Sequence, residues 1–193
     1  MMNQMKGSFA SWTTRDLMVT VVLSLAIGIM TIPLRLATAT LGITLGPIVS
    51  VPLSSYVIAG GCFVAYTVRR PLAAAISQIM AGLVLSFTMP GGFFLIALYL
   101  THAIAIELPF AVTRYKRYDN WIMAISGGIA RLLILGAAWI PAALSDLSII
   151  YQLGLLVGAF IGGAIAGLLA RVFAETLIRA EVLTLGGFEP ENK

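Results

Sequence analysis

His102, Glu107 and Arg131 have the most chemistry to offer in this chain, because each stands inside a long apolar stretch. Ionisable groups in such surroundings are expensive and persist where they find partners. An imidazole, a carboxylate and a guanidinium can hold a polar ligand or a counter-ion; alternatively, a Glu–Arg ion pair can lock two helices together. On neighbouring antiparallel helices a rise of about 1.5 Å per residue sets His102 and Arg131 at similar depth, with Glu107 about 7 Å further along the axis. Arg131 can then reach either. Glu107 leans towards the structural role, because it lies close to the basic run Arg114-Tyr115-Lys116-Arg117 and can extend towards water. Tyr99 points between the directions of His102 and Glu107, so the first half of that helix presents Tyr99 and His102 on adjoining faces. They form an aromatic and polar wall, unless Tyr99 is a packing residue whose hydroxyl bonds a backbone carbonyl. Gln78 and Tyr56 are the other groups in apolar stretches able to make directional hydrogen bonds, whereas Ser and Thr can satisfy themselves on their own helix. Cys62 is the only cysteine, which excludes an internal disulfide and a cysteine-based metal cluster. It is expected to be inert, facing the core or lipid.

The elements that must position these residues are membrane spans. A bilayer core takes about 20 apolar residues per helix, and the hydropathy pattern predicts six spans near 16–34, 49–68, 71–88, 93–112, 121–139 and 151–173, followed by an amphipathic tail over 174–193. Thr13 and Thr14 are possible caps for the first, and Pro33 with Arg35 marks its far end. Residues 36–48, apolar but punctuated by Thr, Gly and Pro47, are expected to form a connection that dips back as a lid. Pro71 is expected to begin the third helix straight after Arg69-Arg70. Met89-Pro90-Gly91-Gly92 is a turn, Asp119-Asn120 caps the fifth span and Pro141 ends it. Ser145-Asp146 belongs to an external turn, and Trp139 and Tyr151 suit an interfacial belt.

Ten of the 12 basic residues fall at the chain ends or in the two breaks, including Lys6, Arg15, Arg171, Arg179 and Lys193. Cytoplasmic loops collect Lys and Arg, so an even number of spans predicts both termini inside. Ser24, Ala26 and Gly28 give the first span a small-residue face able to dock another subunit, and Gly158, Gly162, Gly163 and Gly167 allow close helix contact along the last.

At 60% hydrophobic and 10% charged residues, with mean hydropathy +0.99, residues 1–193 read as one integral membrane domain and not as a soluble protein. The net charge of +4 is topology, because the basic residues form no aromatic-interleaved stripe for nucleic acid. The first apolar stretch is too long for a removable signal peptide and is expected to stay as a helix. Nothing resembles a phosphate loop, a zinc-binding His-Glu helix or a nucleophile elbow, and no internal repeat stands out. A polar pocket without a motor predicts a binding subunit with no catalytic residue, metal or cofactor.

The sequence resembles the YkoE family, the substrate-binding S components of energy-coupling factor (ECF) transporters of the thiamine and hydroxymethylpyrimidine type. The likeness runs through Gly46-Pro47-Ile48 with Pro52, Ala65-Tyr66 to Arg69-Arg70-Pro71, Ala74-Ala75 to Ala81, Glu107 with Thr113-Arg114-Tyr115-Lys116, and Ala166-Gly167-Leu168-Leu169. It implies an all-α, six-helix membrane bundle in a prokaryotic plasma membrane that captures a vitamin-like ligand near its outer surface. Its partners would be a transmembrane coupling subunit and two cytoplasmic ATPases, with Ser24, Ala26 and Gly28 docking and the subunit rotating to release its cargo. Where thiamine-type members carry acidic or aromatic residues, this chain has Val51, Val57, Gln78, Leu85 and His102, and Glu107 is the acid in common. A desolvated cation wants a carboxylate or an aromatic face, so a neutral pyrimidine or another small vitamin-like compound suits this set better than thiamine. A scaffold of the MreD type has similar length and span count and remains the alternative from another class. A membrane enzyme fails for want of a nucleophile–base or metal set.

Overall fold

The computed structural model describes residues 12–139 and 144–180, and these form seven α-helices and one short 3-10 turn, Leu144–Asp146. Helix α1 (Thr14–Leu45) starts from a capping box in which the Thr13 hydroxyl accepts from the Asp16 N–H and the Asp16 carboxylate accepts from the Thr13 N–H. It does not stop near Pro33 but runs on to Leu45, so the expected lid over 36–48 is instead mostly helix. A proline removes one backbone bond, but an apolar setting offers the remaining N–H and C=O groups no water as an alternative to the helix. Thr38 and Thr40 return their hydroxyls to the carbonyls of Leu34 and Leu36. Gly46, at φ +76°, ends α1, and Pro47 opens α2 (Pro47–Leu53) in the N-terminal position that suits it.

The expected second span is broken. Residues Ser54 and Ser55 separate α2 from α3 (Tyr56–Val68), where the Ser55 N–H turns to the Pro52 carbonyl and so leaves the Val51 carbonyl to other donors. Helix α4 (Ala73–Thr88) begins after Pro71 and not at it, because Leu72 turns left-handed at φ +67°. Helices α5 (Phe94–Val112), α6 (Asn120–Ala138) and α7 (Ile149–Arg179) lie close to their expected spans, with α7 carrying the last one straight on into the start of the tail. Lys6, Pro141, Lys193 and the tail from 181 onward lie outside the described residues. Helices α1, α5, α6, α7 and the α2–α3 pair are each long and apolar enough to cross a membrane; α4, with 16 residues, is a shorter apolar helix.

Helix α3 is the central element, with Ile58, Cys62 and Val64 fully buried, so Cys62 faces the core. Small residues let the other helices close around it. Gly127 of α6 and Gly163 of α7 bring their backbones into direct contact, and a Cβ at Gly162 would stand 2.8 Å from Pro52 Cα, so α2 rests in the glycine face of α7. The glycines of the last span thus serve packing within the chain. So do two of the three residues expected to dock a partner. Ser24 is fully buried and Gly28 sits against Val84 and Ala81 of α4, because α1 turns its small and polar stripe of Asp16, Thr20, Ser24, Gly28 and Thr31 inward. Ala26 is exposed on the opposite face with Leu25, Ile29 and Met30.

Candidate functional site

The polar side chains gather at two levels of the bundle. At the end carrying the two basic breaks, Glu107 of α5 accepts from the Leu72 N–H at 2.7 Å and the Ala75 N–H at 3.0 Å, so its carboxylate caps the first turn of α4 from a neighbouring helix. The Tyr115 side chain lies against the same carboxylate. Arg70 pairs with Asp16 at 2.9 Å and ties the turn to α1. Arg69 lies over the ring of Tyr66 at 4.7 Å and that of Tyr118 at 5.4 Å. The Tyr66 hydroxyl donates to Glu175 at 3.0 Å, and Glu175 pairs with Arg171 at 2.7 Å. Asp119 caps α6 by accepting from the Ile122 N–H at 3.0 Å, and that bond, helped by Arg117, holds its carboxyl below the usual aspartate range. These partners support a backbone in which Arg69, Leu72, Arg114 and Tyr115 all take positive φ without a glycine among them.

The second level lies nearer the opposite end. Arg131 of α6 donates from Nε at 3.1 Å and from Nη2 at 2.6 Å to the Val51 carbonyl, and Nη2 also donates to the Ser54 hydroxyl. A broken helix frees carbonyls at its C-terminal end, where the dipole is negative, and a buried guanidinium answers both needs. On α5 the rings of Tyr99 and His102 stack with centroids 5.1 Å apart and planes 26° apart. His102 Nδ1 stands 2.6 Å from the Leu98 carbonyl, which can only accept, so Nδ1 carries a proton and Nε2 of the neutral ring is left as an acceptor. The Tyr99 hydroxyl is buried, and although Arg35 of α1 lies beside it, no hydrogen bond of ordinary geometry reaches its oxygen. Tyr56 at the start of α3 shares a 3.4 Å contact with Thr38 of α1 and lies within electrostatic reach of both Arg35 and Arg131. His102 lies within reach of the same two cations.

The structure therefore brings Tyr56, Tyr99, His102 and Arg131 into one neighbourhood. Gln78 of α4 borders it, donating to the Val57 carbonyl at 3.1 Å while its own carbonyl oxygen is buried without a partner, as is the Ser55 hydroxyl. Glu107 is not part of this group, and the alternative Glu107–Arg131 ion pair does not form: each group is taken by nearer backbone partners. Sequence reasoning missed Arg35, Thr38 and the Ser54–Ser55 break. Arg35 passed for an end marker, and two serines in an apolar run gave no sign of a break. Among the described residues no group of three or more His, Cys, Asp or Glu side chains could hold a metal ion.

Comparison with known proteins bears on what such a site belongs to. The profile of the family described as "ABC-type cobalt transport system, permease component" matches residues 15–133. The YkoE protein of Bacillus subtilis (strain 168), which is named as an HMP/thiamine permease, is 27% identical over 183 residues, covering 90% of this chain and 88% of that protein. A crystal structure of an S component of an ECF transporter superposes with a TM-score of 0.84 at 25% identity, covering 89% of this chain and 88% of the other. The chain belongs to the ABC-type cobalt transport system permease family and is a YkoE-like S component of an ECF transporter, a multi-pass membrane transport subunit and not an enzyme.

Proposed function

We propose that this chain is the subunit that captures thiamine or its hydroxymethylpyrimidine precursor for import, and that Tyr56, Gln78, Tyr99, His102 and Arg131 form the capture site. The observation that carries this reading is the stacked Tyr99–His102 pair beside a buried Tyr99 hydroxyl without a partner. A flat heteroaromatic ring can stack there, and its ring nitrogens and exocyclic groups can complete the hydrogen bonds of Tyr99 and Gln78. A membrane scaffold has no use for such groups. Cobalt, the cargo in the family's description, suits the site less well, because the site offers one imidazole and two guanidinium cations where a divalent ion needs several donors.

The basic end is cytoplasmic in this reading, with both termini inside and the Arg131 level facing the outer half of a prokaryotic plasma membrane. The chain is a single domain. Energy comes from partners, a transmembrane coupling subunit and two ATPases, since the sequence holds no nucleotide-binding loop. The outward face of α1, with Ala26 among Leu25, Ile29 and Met30, is the surface offered to the coupling subunit.

Native mass spectrometry of the detergent-purified protein, with release of any co-purified small molecule and titration with thiamine and hydroxymethylpyrimidine, tests the reading. Saturable binding of either compound is the expected result. A protein that arrives with a different small molecule and ignores both would overturn the vitamin assignment.

A further inference from the structure

Of the 12 basic residues, Arg35 and Arg131 alone stand away from the chain ends and the two basic breaks. The fold brings these two towards one place, from α1 and α6: Thr38, one turn on from Arg35, touches the Tyr56 hydroxyl at 3.4 Å, and Arg131 bonds Val51 and Ser54 just ahead of Tyr56. Neither has an ion-pair partner among the described residues, where the pairs that form join Arg70 to Asp16, Arg117 to Asp119 and Arg171 to Glu175. The described acidic residues are elsewhere. Asp16, Glu107, Asp119 and Glu175 serve the basic end, while Asp146, at the other, is exposed in the turn before α7 beside Ser145.

Arg131 is buried, and among the described residues its bonds use Nε and Nη2, all of them towards Val51 and Ser54. A guanidinium has five N–H donors, so the Nη1 donors remain for another acceptor. Arg35 is half-buried beside the Tyr99 hydroxyl. Two like charges in a largely desolvated site are unfavourable unless an anion joins them, and planar guanidinium groups match phosphate and carboxylate oxygens in geometry as well as in charge.

Resting on the capture site proposed above, we infer that among pyrimidine ligands of this kind the site favours the one bearing an oxyanion, a phosphate or carboxylate, and that Arg35 and Arg131 receive this group while Tyr99 and His102 hold the ring. A cationic ring such as the thiazolium of thiamine meets two positive charges here with no carboxylate among the described residues to offset them, so charge rejects it as much as it selects the anion.

Equilibrium binding to the full purified chain with three probes, hydroxymethylpyrimidine phosphate, neutral hydroxymethylpyrimidine and thiamine, tests the inference. The phosphate is expected to bind at least about tenfold more tightly than either of the others. Arg35→Gln, compared at unchanged melting temperature, removes most of that advantage, costing the phosphate at least about fivefold more affinity than it costs neutral hydroxymethylpyrimidine; the charge-keeping Arg35→Lys retains part of it. Thiamine or the neutral pyrimidine binding as tightly as the phosphate overturns the oxyanion inference and leaves the capture reading standing. Equal losses for charged and neutral probes in Arg35→Gln also overturn it, since Arg35 would then act on the fold. If none of the three binds, the capture reading itself falls, and the oxyanion with it.

Discussion

At the basic end, Glu107 accepts from two backbone N–H groups, Asp16, Asp119 and Glu175 each have an arginine, and Arg69 lies between two tyrosine rings. Further into the bundle, towards the level of Arg131, the pattern reverses: among the described residues the Tyr99, Ser55 and Ser77 hydroxyls and the Gln78 carbonyl oxygen are buried without partners, and the two arginines have no carboxylate. Burial of a polar atom without a hydrogen bond costs about 1–3 kcal/mol. A chain that satisfies its polar groups so fully at one end has the means to do so at the other. The difference separates groups that hold the fold from groups that wait for something else, and it does so without reference to residue type, since both regions use tyrosine, arginine and an ionisable residue of α5.

Mutations can break or sharpen that contrast. The largest effect belongs to Glu107→Ala, which strands the Leu72 and Ala75 N–H groups and removes the negative charge at the start of α4. It should lower stability by roughly 2–5 kcal/mol, read as a melting shift in detergent, and the partial rescue expected of Glu107→Gln would tie the loss to the lost acceptor. An intermediate effect belongs to His102→Ala. It should weaken ligand binding by about tenfold and leave the melting temperature nearly unchanged; normal binding by the purified variant would remove His102 from the site, and a large melting shift would erase the distinction between the two regions.

The smallest effect concerns pH. The Asp119 carboxyl is held below its ordinary value of 3.8, chiefly by the Ile122 N–H. A lowered folded value means that its contribution is complete above that pH and is lost as pH falls through the folded value. The exchange protection of the first turn of α6, taken relative to the intrinsic amide rate at each pH, should therefore fall below about pH 4, while Asp119→Asn, which keeps an acceptor but not the titration, should flatten that response.

Much of the architecture was legible because hydropathy and Lys/Arg placement act locally. The bounds of α5 and α6, the capping roles of Thr13 and Asp119, and the grouping of Tyr99 with His102 follow from helical spacing alone. What was not legible depends on how helices rotate against one another or on competition for backbone groups. Arg131 could have turned to Glu107 or His102, yet the carbonyl exposed by the break after Val51 claims it, and the break itself lies at two serines that carry no helix-stop signal. Ser24 and Gly28 look identical as a docking face or as a packing face until α4 is placed beside them.

The unbroken run of α1 through Pro33 has a consequence for the surrounding lipid. Its 32 residues make a rod about 48 Å long, set against a hydrocarbon layer of about 30 Å. Even at the average tilt of about 20° the rod overshoots that layer, so part of it lies among the headgroups. Helix α4, with 16 residues, is about 24 Å long and falls short of the layer. One bundle thus imposes opposite hydrophobic mismatches on the membrane around it, and acyl-chain length becomes a variable that can tilt these two helices differently.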